Sequence, residues 1–212
     1  MQVQVKKQSK KDQILRSAEE LISAEGYINV SLRQIADQAG VQVSILNYHF
    51  SSKFNLLQEI LRRRANVIAD DRLTMLDEAR IKNGSNNPDI KEIMHAFLWP
   101  VVDRCIKGEP GWRDYANIIA QFAYNQAAVE LFSELFDPVA RHFISAIRLS
   151  EPDLTDKQIH WRYIFAIGTM LQFISGTNRI GLLSGGKYSI EEFEFGYSEL
   201  LSFVSTGIHS TG

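Results

Sequence analysis

The sequence predicts an all-α protein in which a short three-helix N-terminal domain precedes a larger helical body. Apolar residues recur at the three- and four-residue spacing of helices along most of the 212-residue chain. Capping boxes, in which a Ser or Thr stands three residues before a Gln or Glu, predict helix starts at Ser31, Thr155 and Ser189. No stretch shows the sustained two-residue alternation of a strand.

The composition narrows the class of protein. Hydrophobic residues make up 45% of the chain and charged residues 23%, as is usual for globular proteins. No apolar run reaches the roughly 18 residues of a membrane span, and no apolar stretch follows the basic start as in a signal peptide. Cys105 is the only cysteine, which excludes an internal disulfide and a cysteine-based metal cluster. These features favour the cytoplasm.

Charge is distributed unevenly along the chain. Residues 1–64 contain ten Lys or Arg and six Asp or Glu, whereas the remainder contains 13 basic and 19 acidic residues. A basic end on an acidic body is typical of a protein that binds an anionic polymer at one end only. An architectural or nonspecific DNA binder would need a basic body, so the charge pattern argues against that class.

The N-terminal part predicts three helices in succession. Residues 1–11 are polar and basic and predict a disordered arm. A first helix then runs to a stop at Gly26, and a second, short helix begins at Ser31. Gly40 predicts a sharp turn before a third helix, from about Gln42 to His49, because glycine reaches left-handed backbone angles cheaply.

The third helix has a buried side and an outer side. On a helical wheel, Leu46 and Phe50 fall together on the buried side. The outer side carries no charge and consists of Ser44, Ile45, Asn47 and Tyr48. Ser and Asn can bond base edges, and Ile can contact a thymine methyl group. We therefore predict a helix-turn-helix whose third helix reads the major groove of DNA.

Phosphate contacts are expected from neighbouring residues. Ser31 lies at a helix N-terminus, where free N–H groups attract anions, and Lys53 begins a fourth helix that Ser51 or Ser52 can cap. His49 falls beside the core on the wheel, which favours a structural or phosphate-contacting role. The predicted DNA-binding residues are Ser31, Arg33, Gln42, Val43, Ser44, Ile45, Asn47, Tyr48, His49 and Lys53.

Residues 14–61 resemble the DNA-binding domain of the tetracycline-repressor-type (TetR) family. The matching features are Ala18, Gly26-Tyr27, Ser31, Ile35-Ala36, Ala39-Gly40-Val41, Tyr48-His49-Phe50, Lys53 and Leu56-Leu57. Family members usually carry Tyr in place of Asn47, and the Asn-Tyr-His-Phe form resembles a subset that includes regulators responding to fatty acids or acyl-CoA. Ile45 replaces a frequent base-contacting Thr, so the family's base preference is not transferred.

The apolar spacing and the turn residues themselves predict that the fourth helix continues to about Arg80, that a loop occupies 83–88, and that further helices lie near 89–106, 112–125, 127–149, 156–183 and 190–208. The resemblance implies a plan for the rest of the chain. Residues 12–58 would form the DNA-binding domain and residues 59–212 the ligand-binding and dimerisation domain. The fourth to seventh or eighth helices would surround a ligand cavity, and the last two would pair in a dimer.

Aromatic and apolar faces supply the candidate sites in this body. The candidate ligand-binding residues are Phe97, Arg104, Trp112, Tyr115, Phe122, Phe143, Trp161 and Phe165. The candidate dimer residues are Tyr163, Ile167, Met170, Ile174, Phe193, Tyr197, Leu201 and Val204. Plain bundle core remains an alternative for both sets. Pro100 and Pro138 either open space between helices or mark helix ends.

The sequence thus predicts a homodimeric, ligand-responsive DNA-binding transcriptional regulator. The resemblance implies a repressor that a small, mainly apolar molecule releases from a palindromic double-stranded operator, with fatty acid or acyl-CoA as candidates. The alternative is a DNA-binding protein regulated by a partner, without a small-molecule effector. An enzyme is not expected, because the five histidines are scattered and no Gly-rich phosphate loop or nucleophile elbow is present. No cofactor, metal or membrane contact is expected.

Overall fold

A computed structural model describes residues 9–82, 87–108, 111–123 and 128–209. Within these ranges the chain forms ten helices joined by turns and loops and has no strand, which confirms the predicted class. The helices are α1 Lys10–Glu25, α2 Leu32–Gln38, α3 Val43–His49, α4 Lys53–Lys82, α5 Ile90–Lys107, α6 Trp112–Phe122, α7 Val129–Ser150, α8 Asp156–Ile174, α9 Arg179–Leu183 and α10 Phe193–His209. No described helix is long and apolar enough to cross a membrane.

Capping residues set most of these helix starts. The predicted boxes at Ser31 and Thr155 are confirmed. Each hydroxyl accepts from the third helical N–H, and the Gln side chain at that third position accepts in turn from the backbone N–H of the capping residue. At Ser189 the prediction was wrong. Its N–H donates to Glu192 Oε1 at 3.0 Å, but this pairing stabilises a turn, and α10 begins only at Phe193.

Ser9 starts α1 earlier than expected. Its hydroxyl accepts from the backbone N–H of Asp12 at 3.1 Å, so Lys10 and Lys11 belong to the helix rather than to the arm. Residues 1–8 of the predicted arm, and most of the predicted loop at 83–88, lie outside the described residues. Ser52 caps α4, with its hydroxyl 3.0 Å from the backbone nitrogen of Asn55.

The predicted long helix 156–183 is wrong, because it is two helices. α8 ends at Ile174, and Gly176 then takes a φ of +66°, in the left-handed region where glycine avoids the Cβ clash of other residues. The Ser175 hydroxyl donates to the carbonyl of Gln172 at 2.8 Å and closes the last turn. A five-residue helix, α9, follows.

The N-terminal helices share one small core with the start of α4. Ile14, Ile35, Leu46 and Leu57 are fully buried and come from α1, α2, α3 and α4 in turn. Because α2 and α3 have only seven residues each, this packing rather than intrinsic helix stability must hold them in place.

The body is a helical bundle that packs around α4. That helix continues from the N-terminal core into the body, where α5 and α7 pack against it and α10 packs against α5 and α8. The expected domain boundary at residue 58 therefore falls within one continuous helix. α6 packs against α1 on one side and α8 on the other, so it contacts both parts of the protein.

A largely buried ion pair lies where the two parts meet. Arg64 Nη2 on α4 is 2.7 Å from Glu19 Oε2 on α1, and the Arg64 guanidinium lies 4.7 Å from the ring centre of Trp112 at the start of α6. Burial raises the pKa of Glu19, although Arg64 opposes the shift. Gly111 fits closely here, because a Cβ at that position would lie 2.2 Å from Arg64 Nη2. This junction joins α1, α4 and α6.

Candidate DNA-binding surface and effector cavity

The turn between α2 and α3 has the predicted form. Gly40 takes a φ of +63°, and the N–H of Val41 donates to the carbonyl of Ala36 at 3.0 Å. Leu46 and Phe50 are buried, as the helical wheel predicts. The turn and these two anchors fix how α3 projects from the domain.

The outer face of α3 is open to solvent. Tyr48 is 84% exposed. Gln42, Val43, Ser44 and Asn47 are exposed too, and Ile45 is half-buried. The expectation that His49 lies beside the core is wrong, because His49 is exposed. It is the last residue of α3, and the chain leaves in the extended conformation of Phe50 (φ −137°), so no further turn covers it.

The predicted phosphate-contacting residues differ in what they already bind. Ser31 is exposed at the start of α2, and Arg33 is exposed and makes no hydrogen bond or ion pair with any described residue. Lys53 instead donates to the carbonyls of Tyr27 at 2.6 Å and Val30 at 2.7 Å. Its ammonium also lies 4.3 Å from the ring centre of Tyr27, and burial lowers its pKa. Lys53 therefore fastens the loop between α1 and α2 to the start of α4.

A cavity of about 1220 Å³ lies within the body. It is lined mainly by residues of α7 and α8, with smaller contributions from α10, α6, α5 and α4. Four of the eight candidate ligand-binding residues line it, namely Phe97, Tyr115, Phe122 and Phe165. Residues next to Pro100 and Pro138 also line it, and both prolines lie inside continuous helices rather than at helix ends.

The other four candidate ligand-binding residues lie elsewhere. Arg104 pairs with Asp71 and stacks at 4.8 Å on Trp112, and both line a separate cleft beside the Glu19–Arg64 junction. Phe143 is fully buried core, and Trp161 is 56% exposed on the outer side of α8. Aromatic type alone could not separate these positions.

The sequence reasoning missed Arg72, which lines the cavity although it is only 7% exposed. A signal for it existed. Leu61, Ala65, Ile68 and Leu76 form the buried stripe of α4, and Arg72 lies on that stripe between Ile68 and Leu76. A charged residue within a buried apolar stripe indicates a polar partner or a binding role.

Most of the candidate dimer residues are enclosed in the protomer itself. Tyr163, Met170, Ile174, Tyr197, Leu201 and Val204 are buried, and Ile167 and Phe193 are half-buried. Tyr197, for example, has its hydroxyl 2.6 Å from His95 Nδ1 on α5. The large apolar side chains that α8 and α10 do expose are Trp161, Ile164, Phe165, Phe195 and Phe203. Their exposure makes these, rather than the predicted set, the side chains available to a second copy.

α6 links the cavity to the DNA-binding domain. Tyr115, Ile119 and Phe122 line the cavity, and the Phe122 ring meets the Tyr27 ring edge-on at 5.2 Å between centroids. On the other side of α6, Asn117 Nδ2 donates to the Ser23 hydroxyl at 3.3 Å and Gln121 Nε2 to the Ser23 carbonyl at 3.2 Å. The cavity wall and the DNA-binding core are therefore in direct contact through one helix.

Known structures with this fold match almost the whole chain. A TetR-family transcription regulator from Shewanella sp. PV-4 covers 92% of this chain and 98% of its own at a TM-score of 0.65 and 17% identity. The fatty acid degradation regulator FadR from Bacillus halodurans covers 97% and 100% at a TM-score of 0.62 and 16% identity. A transcriptional regulator from Saccharomonospora viridis in complex with choline covers 91% and 95% at a TM-score of 0.58 and 22% identity.

Sequence models of protein families identify both parts of the chain, although no curated protein matches it by sequence. The model for bacterial regulatory proteins of the tetR family matches residues 14–60. The model described as "Tetracyclin repressor-like, C-terminal domain" matches residues 95–207, which is more than half of the chain. The chain belongs to the TetR family of DNA-binding transcriptional regulators.

Proposed function

We propose that this protein is a dimeric repressor whose affinity for its operator falls when a small, mainly apolar molecule occupies the cavity. The observation that carries the proposal is the position of α6, which lines the cavity and also packs on the DNA-binding core. Residues 12–58 would act as the DNA-binding unit and residues 59–212 as the sensing and dimerising unit. The two units would share α4.

The DNA contacts would divide between groove reading and phosphate binding. Ser44, Asn47 and Tyr48 are exposed on α3 and would face base edges, with Ile45 and Val43 beside them. Ser31 and Arg33 would contact phosphates. A two-fold dimer would present two copies of α3 to successive major grooves, so the operator would be roughly palindromic.

The exposed aromatic residues of α8 and α10 would form the dimer interface. The two helices pack antiparallel, because Arg162 Nη1 near the start of α8 donates to Ile208 O near the end of α10, while Phe173 and Phe193 meet at the opposite ends. Each helix exposes large apolar side chains, which single soluble domains seldom leave in one patch. A second copy of this hairpin would cover them as a four-helix interface.

Coupling requires that a ligand favour one geometry of the dimer over another. A molecule that displaces Phe122 would move Tyr27, whose carbonyl and ring are held by Lys53 at the start of α4. The hydrogen bonds from α6 to Ser23 would pass the same displacement to α1. A coupling free energy of about 1–3 kcal/mol would weaken DNA binding roughly 5- to 150-fold.

The cavity of this chain favours a mainly apolar ligand. The related structures include one named as a fatty acid degradation regulator and one in complex with choline. Here the lining is predominantly apolar and aromatic, with Phe132, Phe136 and Ile144 of α7 opposite Tyr163 and Met170 of α8. Fatty acids and acyl-CoA esters therefore remain the candidates.

The DNA contacts predict three different outcomes for three substitutions. Arg33→Ala should weaken binding to all duplexes by a similar factor and reduce the salt slope by about 1, with no change in melting temperature. Lys53→Met should lower the melting temperature as well, because the carbonyls of Tyr27 and Val30 lose their donor. Tyr48→Ala should reduce the affinity for an operator selected from a random pool by a larger factor than it reduces the affinity for random duplex. Equal losses on both duplexes in fluorescence anisotropy would contradict groove reading by α3.

The dimer interface predicts that charge on the exposed aromatic face separates the protomers. The double variant Trp161→Glu/Phe195→Glu should sediment as a monomer with its helical content unchanged, because both side chains are exposed in the protomer and neither lines the cavity. Ile81→Glu, which charges an exposed apolar residue at the end of α4, is the matched control and should remain dimeric. A double variant that dimerises as strongly as the wild type would show that another surface is used.

The effector proposal predicts release of a fluorescently labelled operator. Titration with dodecanoate and with dodecanoyl-CoA should show that at least one of them lowers DNA affinity by a factor in the range of about 5 to 150. Salicylate serves as a compact aromatic comparison. If salicylate releases DNA and neither lipid does, the lipid assignment is wrong. If a broad set of small molecules leaves the affinity unchanged, the sensing role itself is wrong.

A further inference from the structure

The cavity contains the buried guanidinium of Arg72, which forms no ion pair with any carboxylate that the structure describes. Arg72 Nε donates to the Phe97 carbonyl at 2.7 Å, and Arg72 Nη2 lies 3.3 Å from the sulfur of Met170, a weak acceptor. The guanidinium also lies 4.1 Å from the ring centre of Phe97. No carboxylate in the described parts of the chain forms an ion pair with Arg72.

Two buried phenols lie close to this guanidinium. Tyr115 and Tyr163 line the same cavity as Arg72, and the Tyr163 ring lies 5.1 Å from the Phe97 ring on which the guanidinium packs. Neither hydroxyl has a hydrogen-bond partner among the residues that the structure describes. Burial raises the pKa of both phenols, so both remain protonated donors.

The unpaired donors open onto the cavity. Within the described ranges, Ser205 Oγ is the one fully enclosed polar side-chain atom that lacks a partner. The unpaired Arg72 Nη1 and the hydroxyls of Tyr115 and Tyr163 are therefore accessible from cavity space. A buried cation without a counter-ion is unfavourable, and an anion that accepts from these donors would relieve that cost.

We infer that Arg72, Tyr115 and Tyr163 bind the free carboxylate of an amphipathic monoanion whose apolar tail fills the space between α7 and α8. The inference rests on the proposed function and names the ligand chemistry of that site. A carboxylate matches the planar guanidinium, which can donate two parallel hydrogen bonds to it. Cationic ligands are disfavoured by the charge of Arg72.

The depth of Arg72 distinguishes a free acid from its CoA ester. A thioester carbonyl is neutral, so it can accept a hydrogen bond from Arg72 but forms no ion pair with it. The polyanionic CoA group is too large to reach a side chain that is 7% exposed, so it would have to remain outside the cavity. Arg141, which is exposed at the cavity lining, is the rival anion-binding residue if the head group lies at the surface instead.

Isothermal titration of the full-length protein with dodecanoate and dodecan-1-ol tests the assignment, because the two ligands share a tail and differ in the head group. The wild type should bind dodecanoate about 10- to 100-fold more tightly than the alcohol. Arg72→Met should lose this preference while binding of the alcohol is retained, and Tyr163→Phe should reduce it by a smaller factor. Arg141→Met, the matched control, should keep the full preference.

Other outcomes would overturn the inference. A wild type that binds dodecanoate no more tightly than dodecan-1-ol would by itself overturn the inference, even if Arg72→Met proved unable to fold. Loss of the preference in Arg141→Met but not in Tyr163→Phe would place the head group at the surface. The proposed function fails separately: if dodecanoate binds through Arg72 and DNA affinity does not change, the anion site stands and the repressor mechanism does not.

Discussion

α6 is the constraint on which the rest of this structure depends, because its two faces must be covered by two different parts of the protein. One face donates hydrogen bonds to Ser23 of α1. The other face carries Tyr115, Ile119 and Phe122 into the cavity, where the Phe122 ring also meets that of Tyr27. A helix with this double role cannot move relative to the cavity without changing its packing on the DNA-binding core, so the fold itself provides a path for coupling.

The junction around Glu19 and Arg64 defines how α6 can move. That ion pair joins α1 to α4, and the guanidinium groups of Arg64 and Arg104 lie 4.7 Å and 4.8 Å from the ring centre of Trp112 at the start of α6. The N-terminal end of α6 is thus held by charged groups, whereas its C-terminal end is held by the Gln121 hydrogen bond to Ser23 and by the apolar contact of Phe122 at the cavity wall. Apolar contacts adapt to a ligand more readily than a buried ion pair, so displacement of Phe122 is the favoured response to ligand binding.

Much of the fold could be predicted from local sequence signals. The capping boxes at Ser31 and Thr155 and the turn at Gly40 follow from hydrogen-bonding groups and backbone freedom within a few residues. The candidate sites could not be predicted as well, because core, cavity and interface all use the same apolar faces. Tyr197 and Trp161 both occupy aromatic helix positions, yet one is enclosed by α5 and the other is exposed. Only the packing of distant helices separates them.

The most direct test of the account is the distance between the two recognition units of the dimer. Spin labels at Asp37→Cys, an exposed position on α2, would report it by electron–electron dipolar spectroscopy. Cys105→Ser would remove the native thiol, whose pKa burial raises to about 11. The account predicts that dodecanoate shifts the distance distribution and that Asn117→Ala/Gln121→Ala, which removes the α6 bonds to Ser23, reduces the shift. An unchanged distribution in a protein that calorimetry shows to be saturated with ligand would contradict it.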